Sequence, residues 1–424
     1  MKIHSEYVEE PKKEVTTALA EIARLKKQLE EKRTDASRQV LQTAYQRQVD
    51  QLSLNEWVES ALRYYDKSNY TEALRLFRKA AEQGHVGAQN SLGVMYANGD
   101  GIPRDAKQAV HWFEKAAEQG DALAQFNLGL SYAIGDGIPL DAKQAVYWWL
   151  KAAEQGYADA QFNVGLMYDL GNGVAHDAKQ AAYWIRKAAV QGIAIAQYGL
   201  GVKYIEGDGV ERDSKQAVYW FQKAAEQGYT EAQFGLGESY AQGNGVAHDA
   251  NQAAYWFQKA ADQGNAKAQF RLGLMYAKGD GVERNSDRAG FWLHKAAEQG
   301  LANAQIILGM NYDDGIGVPR DVKQAVYWYQ KAAEQGDVDA QYLLGFNYAN
   351  GDGVARDARK AFYWWRKAAE QGLAEAQYYL GIMYGKGEGV ARNIDQANYW
   401  VQKAAAQGHV GAIALLRSRA NNTK

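Results

Sequence analysis

The chain has 424 residues, with 48 Lys and Arg against 50 Asp and Glu, a formal charge of −2 and no cysteine. Near-neutrality argues against a basic nucleic-acid-binding surface or a membrane-attracting patch, and the missing thiols exclude disulfides, thiolate metal sites and a cysteine nucleophile. No run approaches the roughly 18 apolar residues of a membrane span, and the opening Met1-Lys2-Ile3-His4-Ser5-Glu6 lacks the apolar stretch of a secretory signal. The chain as written is expected to be soluble and cytoplasmic; if a signal peptide has been removed from this sequence, it is expected to be periplasmic or secreted instead.

Residues 1–52 read as an N-terminal helical extension. Val15, Leu19, Ile22, Leu25 and Leu29 recur at helical spacing among Glu, Lys and Arg, which predicts an amphipathic helix. Two readings stay open for it. It is either a short coiled coil that makes a homodimer, or, with a second helix around Val40, Leu41 and Ala44, a cap that docks on the first repeat or on a partner. Residues 53–84 read as a shorter first unit that ends on Lys-Ala-Ala-Glu-Gln-Gly.

That ending organises everything downstream. It closes at Gly84, Gly120, Gly156, Gly228, Gly300, Gly336 and Gly372, with one-residue variants at Gly192, Gly264 and Gly408, so the glycines fall on a step of 36 residues. A fixed period of this kind means one supersecondary element per unit, each burying its apolar face against the next; such a stack also escapes the size limit of a single core. One elongated domain follows. In the unit 121–156, Ala124, Phe126, Leu128, Gly129 and Tyr132 make one helix face, Gly135-Asp136-Gly137 turns the chain, and Asp141 caps a second helix, with Gln144 completing a capping box. Ala145, Trp148, Ala152 and Ala153 form that helix's inner face, and Gly129 and Ala145 stand where two backbones approach closely. Residues 409–424 repeat the start of a unit and then turn polar, a capping helix and tail.

The pattern A-x-x-A-Q-F-x-L-G-x-x-Y-x-x-G-x-G-V-x-x-D-x-K-Q-A-x-x-W-x-x-K-A-A-E-Q-G resembles the Sel1-like repeat family, close relatives of tetratricopeptide repeats. Nine units match it from His85 to Gly408. The first unit is more tetratricopeptide-like, with Trp57, Ala61, Tyr64, Ala73, Phe77 and Ala80 at that family's offsets and Asn69-Tyr70 in place of the long loop. Asn285 and Asn393 replace the capping Asp; Asp287, Arg288 and Gly290 leave the second helix of residues 265–300 as the unit whose pattern is weakest. The resemblance implies an all-α fold, a right-handed α/α superhelical solenoid, acting as a protein-interaction scaffold or adaptor.

Chemistry finds little footing. The seven histidines form no H-x-x-x-H or H-E-x-x-H spacing, and the identical settings of His176 and His248 reflect duplication. There is no G-x-S-x-G elbow or Ser-x-x-Lys pair, the Gly-x-Gly turns follow helices rather than strands, and Asp100, Asp208, Asp313-Asp314 and Asp352 lack calcium-loop spacing. We expect no enzyme, no cofactor and no metal. The Trp column from Trp112 to Trp400 reads as core, with the preceding Tyr147 and Tyr219 partly exposed.

Positions that vary between units are free of the duty of stacking. In the first helix these columns begin at 87, 91, 95 and 98, one helical face, which in the related solenoids lines the concave groove. The second column is polar or small at Ser91, Asn127, Asn163, Gly199, Gly235 and Arg271, then apolar at Ile307, Leu343 and Tyr379. Met310 and Phe346 lie one turn on, beside Asn311 and Asn347. A contiguous apolar patch at nominally exposed positions marks an interaction site for a partner's peptide or helix, whose backbone the amides would hold. Four alternatives stay open: packing of these residues within the core, contact with a second copy, a glycan or cell-wall fragment stacking on Tyr379 with Tyr342 and Tyr378 as ordinary core, and a role for the chain as an oligomerising structural subunit of a larger assembly. The partner is expected to be protein, with no nucleic acid and no membrane span.

Overall fold

The computed structural model describes residues 20–29 and 35–421, and these are helical apart from short turns. Val15 and Leu19 lie outside the described residues. The chain is described as two compact units, one ending at Arg212 and one beginning at Asp213. A repeat touches only its sequence neighbours, so contacts stay local along such a chain.

In the first unit the helices are α1 (20–29), α2 (Asp35–Asp66), α3 (Tyr70–Glu82), α4 (Val86–Asn98), α5 (Ala106–Glu118), α6 (Ala122–Ile134), α7 (Ala142–Glu154), α8 (Ala158–Leu170), α9 (Ala178–Val190) and α10 (Ala194–Glu206). From α2 to α10 each helix packs on the next. Helix α2 runs unbroken through residues 52 and 53, so the extension and the first unit share it. No Gly or Pro interrupts residues 35–66, and nothing there supplies a helix stop. The turn into α3 is tight: Ser68 takes φ +58 and Asn69 caps the helix.

The second unit holds α11 (Ser214–Glu226), α12 (Thr230–Gln242), α13 (Ala250–Asp262), α14 (Ala266–Lys278), α15 (Ser286–Glu298), α16 (Ala302–Asp314), α17 (Val322–Glu334), α18 (Val338–Asn350), α19 (Ala358–Glu370), α20 (Ala374–Lys386), α21 (Ile394–Ala406) and α22 (Val410–Asn421). Here too each helix packs on its successor. The weak unit forms its second helix all the same, because Asn285 accepts from Arg288 N at 2.9 Å and caps α15.

The local chemistry repeats. Gly135 stops α6 at φ +71, and two residues on Gly137 at φ +78 passes so close to the Ala106 carbonyl that any Cβ would collide with it. Asp141 Oδ1 accepts from Lys143 N and Gln144 N at 2.9 and 3.1 Å. The expected capping box is half-made, because Asp141 N–H donates to Tyr132 O at 3.0 Å and needs no Gln144 side chain. The deepest position of the second helix is the residue after the tryptophan column: Trp149 and Phe113 are buried, whereas Trp148 is half-buried. Gly129 makes room for it, since a Cβ there would lie 2.6 Å from Trp149 Cδ1.

Repeats are also joined by a buried amide ladder. Gln125 Nε2 donates to Ala117 O, near the end of the preceding second helix, at 3.1 Å, and Gln155 Nε2 donates to Gln125 Oε1 at 2.8 Å. The second unit repeats it with Gln341 to Ala333 O at 3.2 Å and Gln371 to Gln341 at 3.0 Å. The two glutamines of the motif thus close carbonyls that a helix end leaves open.

Candidate functional site

The first-helix face differs between and within the units. In the first unit its polar residues are paired, while Ile134, Leu170 and Ile195 of the outer columns stand exposed and apart. Asn127 Nδ2 donates to Asn90 Oδ1 at 3.0 Å, both buried. Lys203, its side chain 6% exposed, donates to Asp169 Oδ1 at 2.6 Å and Asp208 Oδ2 at 2.7 Å. Burial pulls the ammonium pKa down, but the two carboxylates outweigh it and hold the pKa above its ordinary value.

In the second unit the face opens with an ion pair and continues as an aromatic cluster. Arg271 Nε reaches Glu238 Oε1 at 2.7 Å, joining the second column of one repeat to a residue one turn further along the previous first helix. The same 33-residue offset joins Phe346 to Tyr379, whose ring centroids are 4.8 Å apart. Tyr379 also stacks on Trp365 at 4.9 Å and 24°. Phe346 meets Trp365 edge-on at 5.2 Å and Tyr342 at 5.0 Å. Trp365 Nε1 donates to Tyr342 O at 3.0 Å, which fixes the ring beneath the cluster.

The expected site residues divide accordingly. Leu343, Phe346 and Tyr379 come together half-buried over the core of Leu344, Trp365 and Met383, and Ile307 is half-buried on α16. Met310 is 41% exposed. The amides separate: Asn311 is half-buried, whereas Asn347 is 6% exposed and donates to Asp352 O at 3.3 Å, closing its own loop instead of facing outward. On α1, Ile22 and Leu29 are half-buried and Leu25 is 7% exposed, so Leu25 is covered without a second copy. The sequence does not mark Trp365 or the Lys203 triad as site residues: an offset of 34 residues between aligned repeats pairs Lys203 with Asp169, whereas Trp365 stands in a core column and gives no such signal.

Electrostatics follow from burial and acidic neighbours. Tyr342 is pushed up to about 12 by burial, then by Tyr379 and the Glu375 carboxylate. Burial, followed by the nearby carboxylates of Asp313 and Asp314, pushes the Tyr329 phenol far up. Among the described residues no group of three His, Asp or Glu side chains is placed to hold a metal, and no helix is long and apolar enough to cross a membrane.

A second aromatic series lies on the second helices. Tyr147 and Tyr183 in the first unit, and Tyr219, Tyr255, Tyr327 and Tyr363 in the second, are exposed. Each meets the following Trp edge-on and carries the Lys of the next turn over its ring, as at Tyr147 with Lys151 at 4.6 Å and Tyr363 with Lys367 at 5.1 Å.

Paired antiparallel helices, repeated with Leu-Gly contacts and Gly-x-Gly turns, define an α-helical repeat solenoid. The Sel1 repeat matches ten times in succession, first at residues 60–85 and then in 36-residue steps from 86–121 to 374–409. The chain belongs to the Sel1-repeat family. Its fold is similar to that of a protective antigen present in uropathogenic Escherichia coli strains, at 35% identity, TM-score 0.67, covering 89% of this chain and 90% of that one. It is also similar to a Sel1 repeat protein from Oxalobacter formigenes, at 36% identity, TM-score 0.58, covering 73% and 89%. No functionally curated protein matches the chain.

Proposed function

We propose that the chain is a non-enzymatic interaction scaffold that takes a partner's peptide or helix on the first-helix face of residues 301–386. The observation that carries this reading is the aromatic cluster of Phe346 and Tyr379, with Met310 exposed on α16, at column positions where the same unit places the Glu238–Arg271 ion pair. Both arrangements satisfy the stack. Only the apolar one leaves surface whose burial against a partner would release water. Tyr379 and Phe346, held by Trp365, need little ordering on contact, and Met310 can adapt its shape to a partner side chain.

Glycan recognition fits less well. Stacking a sugar needs an open ring face, and one face of Tyr379 already lies on Trp365, while the exposed tyrosines of the second helices carry lysines over their rings. The test is affinity purification from the source organism with wild type, Met310→Asp and, as a control on the other surface, Tyr255→Asp. A protein captured by wild type and Tyr255→Asp but lost with Met310→Asp is the expected result. Equal capture by all three would remove the site from this face.

A further inference from the structure

The apolar surface is bordered by carboxylates that nothing neutralises. Asp339 and Glu375 are exposed one turn before Leu343 and Tyr379, and Asp314 is exposed one turn after Met310. None of the three takes part in a salt bridge among the described residues, in contrast to Glu238, which Arg271 neutralises on the same face. Along the variable columns of α16, α18 and α20 the one cation is Lys386. Asp339 and Glu375 stand in the first turns of α18 and α20, where the helix dipole favours an acid, but no cation among the described residues pairs with them, and Asp314 at the end of α16 has no such use. Their field favours positive charge, and a ring of like charge around an apolar centre is the arrangement that steers and orients a complementary partner.

Resting on the function proposed above, we infer that the occupant is a basic amphipathic peptide segment, its apolar side chains against Met310, Phe346 and Tyr379 and its Lys or Arg residues against Asp314, Asp339 and Glu375. Charge of this sign on the rim also disfavours acidic amphipathic segments with the same apolar pattern, so the rim would select among partners rather than only add affinity.

The probes are three labelled synthetic peptides of equal length: a Leu/Lys amphipathic helix, its Leu/Glu counterpart and a Ser/Lys peptide with the same charge and no apolar face. Each is titrated with the full chain by fluorescence anisotropy at low and moderate salt. The Leu/Lys peptide is expected to bind at least tenfold tighter than either of the others and to weaken with salt. Asp339→Asn with Glu375→Gln, isosteric changes at exposed positions, should weaken it roughly three- to tenfold. Met310→Asp should weaken both amphipathic peptides. If Leu/Lys and Leu/Glu bind alike, lose affinity alike with Met310→Asp and ignore the amide variant at 339 and 375, the basic partner is overturned while the peptide-binding face stands. If the Ser/Lys peptide binds as well as Leu/Lys, the apolar anchor is refuted; binding by none, or binding indifferent to Met310→Asp, overturns the face itself.

Discussion

Replacing Gln341 with Met keeps side-chain volume and removes only the amide, so it isolates what the glutamine ladder contributes. Gln341 is 2% exposed. The change deletes two hydrogen bonds, Gln341 Nε2 to Ala333 O at 3.2 Å and Gln371 Nε2 to Gln341 Oε1 at 3.0 Å. It orphans no buried atom: Ala333 O keeps Gly336 N at 3.0 Å, and Gln371 Nε2 keeps Gly336 O at 3.0 Å. Two neutral hydrogen bonds at about 1 kcal/mol each, partly offset because no amide needs desolvating, give a loss of about 1–2 kcal/mol. A repeat array need not unfold as one, so a single melting midpoint is a poor readout. Native-state hydrogen exchange should show amides of α17 to α19 exchanging about 5- to 30-fold faster, with α12 and α13 unaffected. Gln371→Ala, and the double variant, should show a coupling of about 0.5–1.5 kcal/mol. Unchanged protection in α18, or additive single effects, would refute the ladder as a link between repeats.

Three further outcomes follow from the first unit. Burial lowers the pKa of His85, whose Nδ1 caps α4 from Ala88 N while Nε2 meets Asn55 Oδ1 at 3.2 Å. The unfolded chain therefore binds the proton more readily, so stability should be level above about 6.5, the ordinary value, and fall as pH drops below it; His85→Asn, keeping a cap, should flatten that slope in urea titrations. Gly165→Ala should destabilise by about 1–2 kcal/mol, since its Cβ would lie 2.7 Å from Ile185 Cγ1, whereas Gly199→Ala, with its nearest neighbour at 3.9 Å, should stabilise by about 0.5–1 kcal/mol through helix propensity. Lys203→Met should cost about 1 kcal/mol or less, because Asp169 and Asp208 remain hydrated and Met95 and Met167 occupy the same column; removing both carboxylates as Asn should cost about 3 kcal/mol by leaving a buried ammonium without a counter-charge, and equal losses would contradict the asymmetry.

Much of the repeat was readable because its local signals agree. The Asp141 cap, the Gly135 and Gly137 stop and the close approach at Gly129 each follow from residue type at fixed spacing. What escaped depends on rotation and on partners across repeats. Trp148 and Trp149 are adjacent apolar residues, and periodicity alone could not say which of them points at Gly129. Asp141 N–H was assigned to Gln144 for want of knowing that Tyr132 O lies opposite. The ladder glutamines are constant in every unit, and so looked like punctuation instead of contacts between units. The site was legible as a run of apolar residues but not as a cluster, since Trp365, which organises it, belongs to a core column.

The 33-residue offset explains how such a face acquires specificity. Twice in the second unit it brings a residue of one first helix against one of the next, at the edge of a core fixed elsewhere by Ala, Leu and Gly. The pair is Glu238 with Arg271 in one place and Phe346 with Tyr379 in another, and the surrounding helices keep the same caps, turns and glutamine links in both. Because backbone hydrogen bonds and the small-residue contacts do not depend on which pair is present, substitutions there are decoupled from most of the stability of the stack. An ion pair at the surface is worth little to the fold, and an aromatic pair adds modest packing energy, so neither choice is forced by folding. The choice of chemistry at these positions is therefore open to selection by a partner, and the apolar choice with uncompensated carboxylates at its rim is the one to which the proposed recognition is assigned.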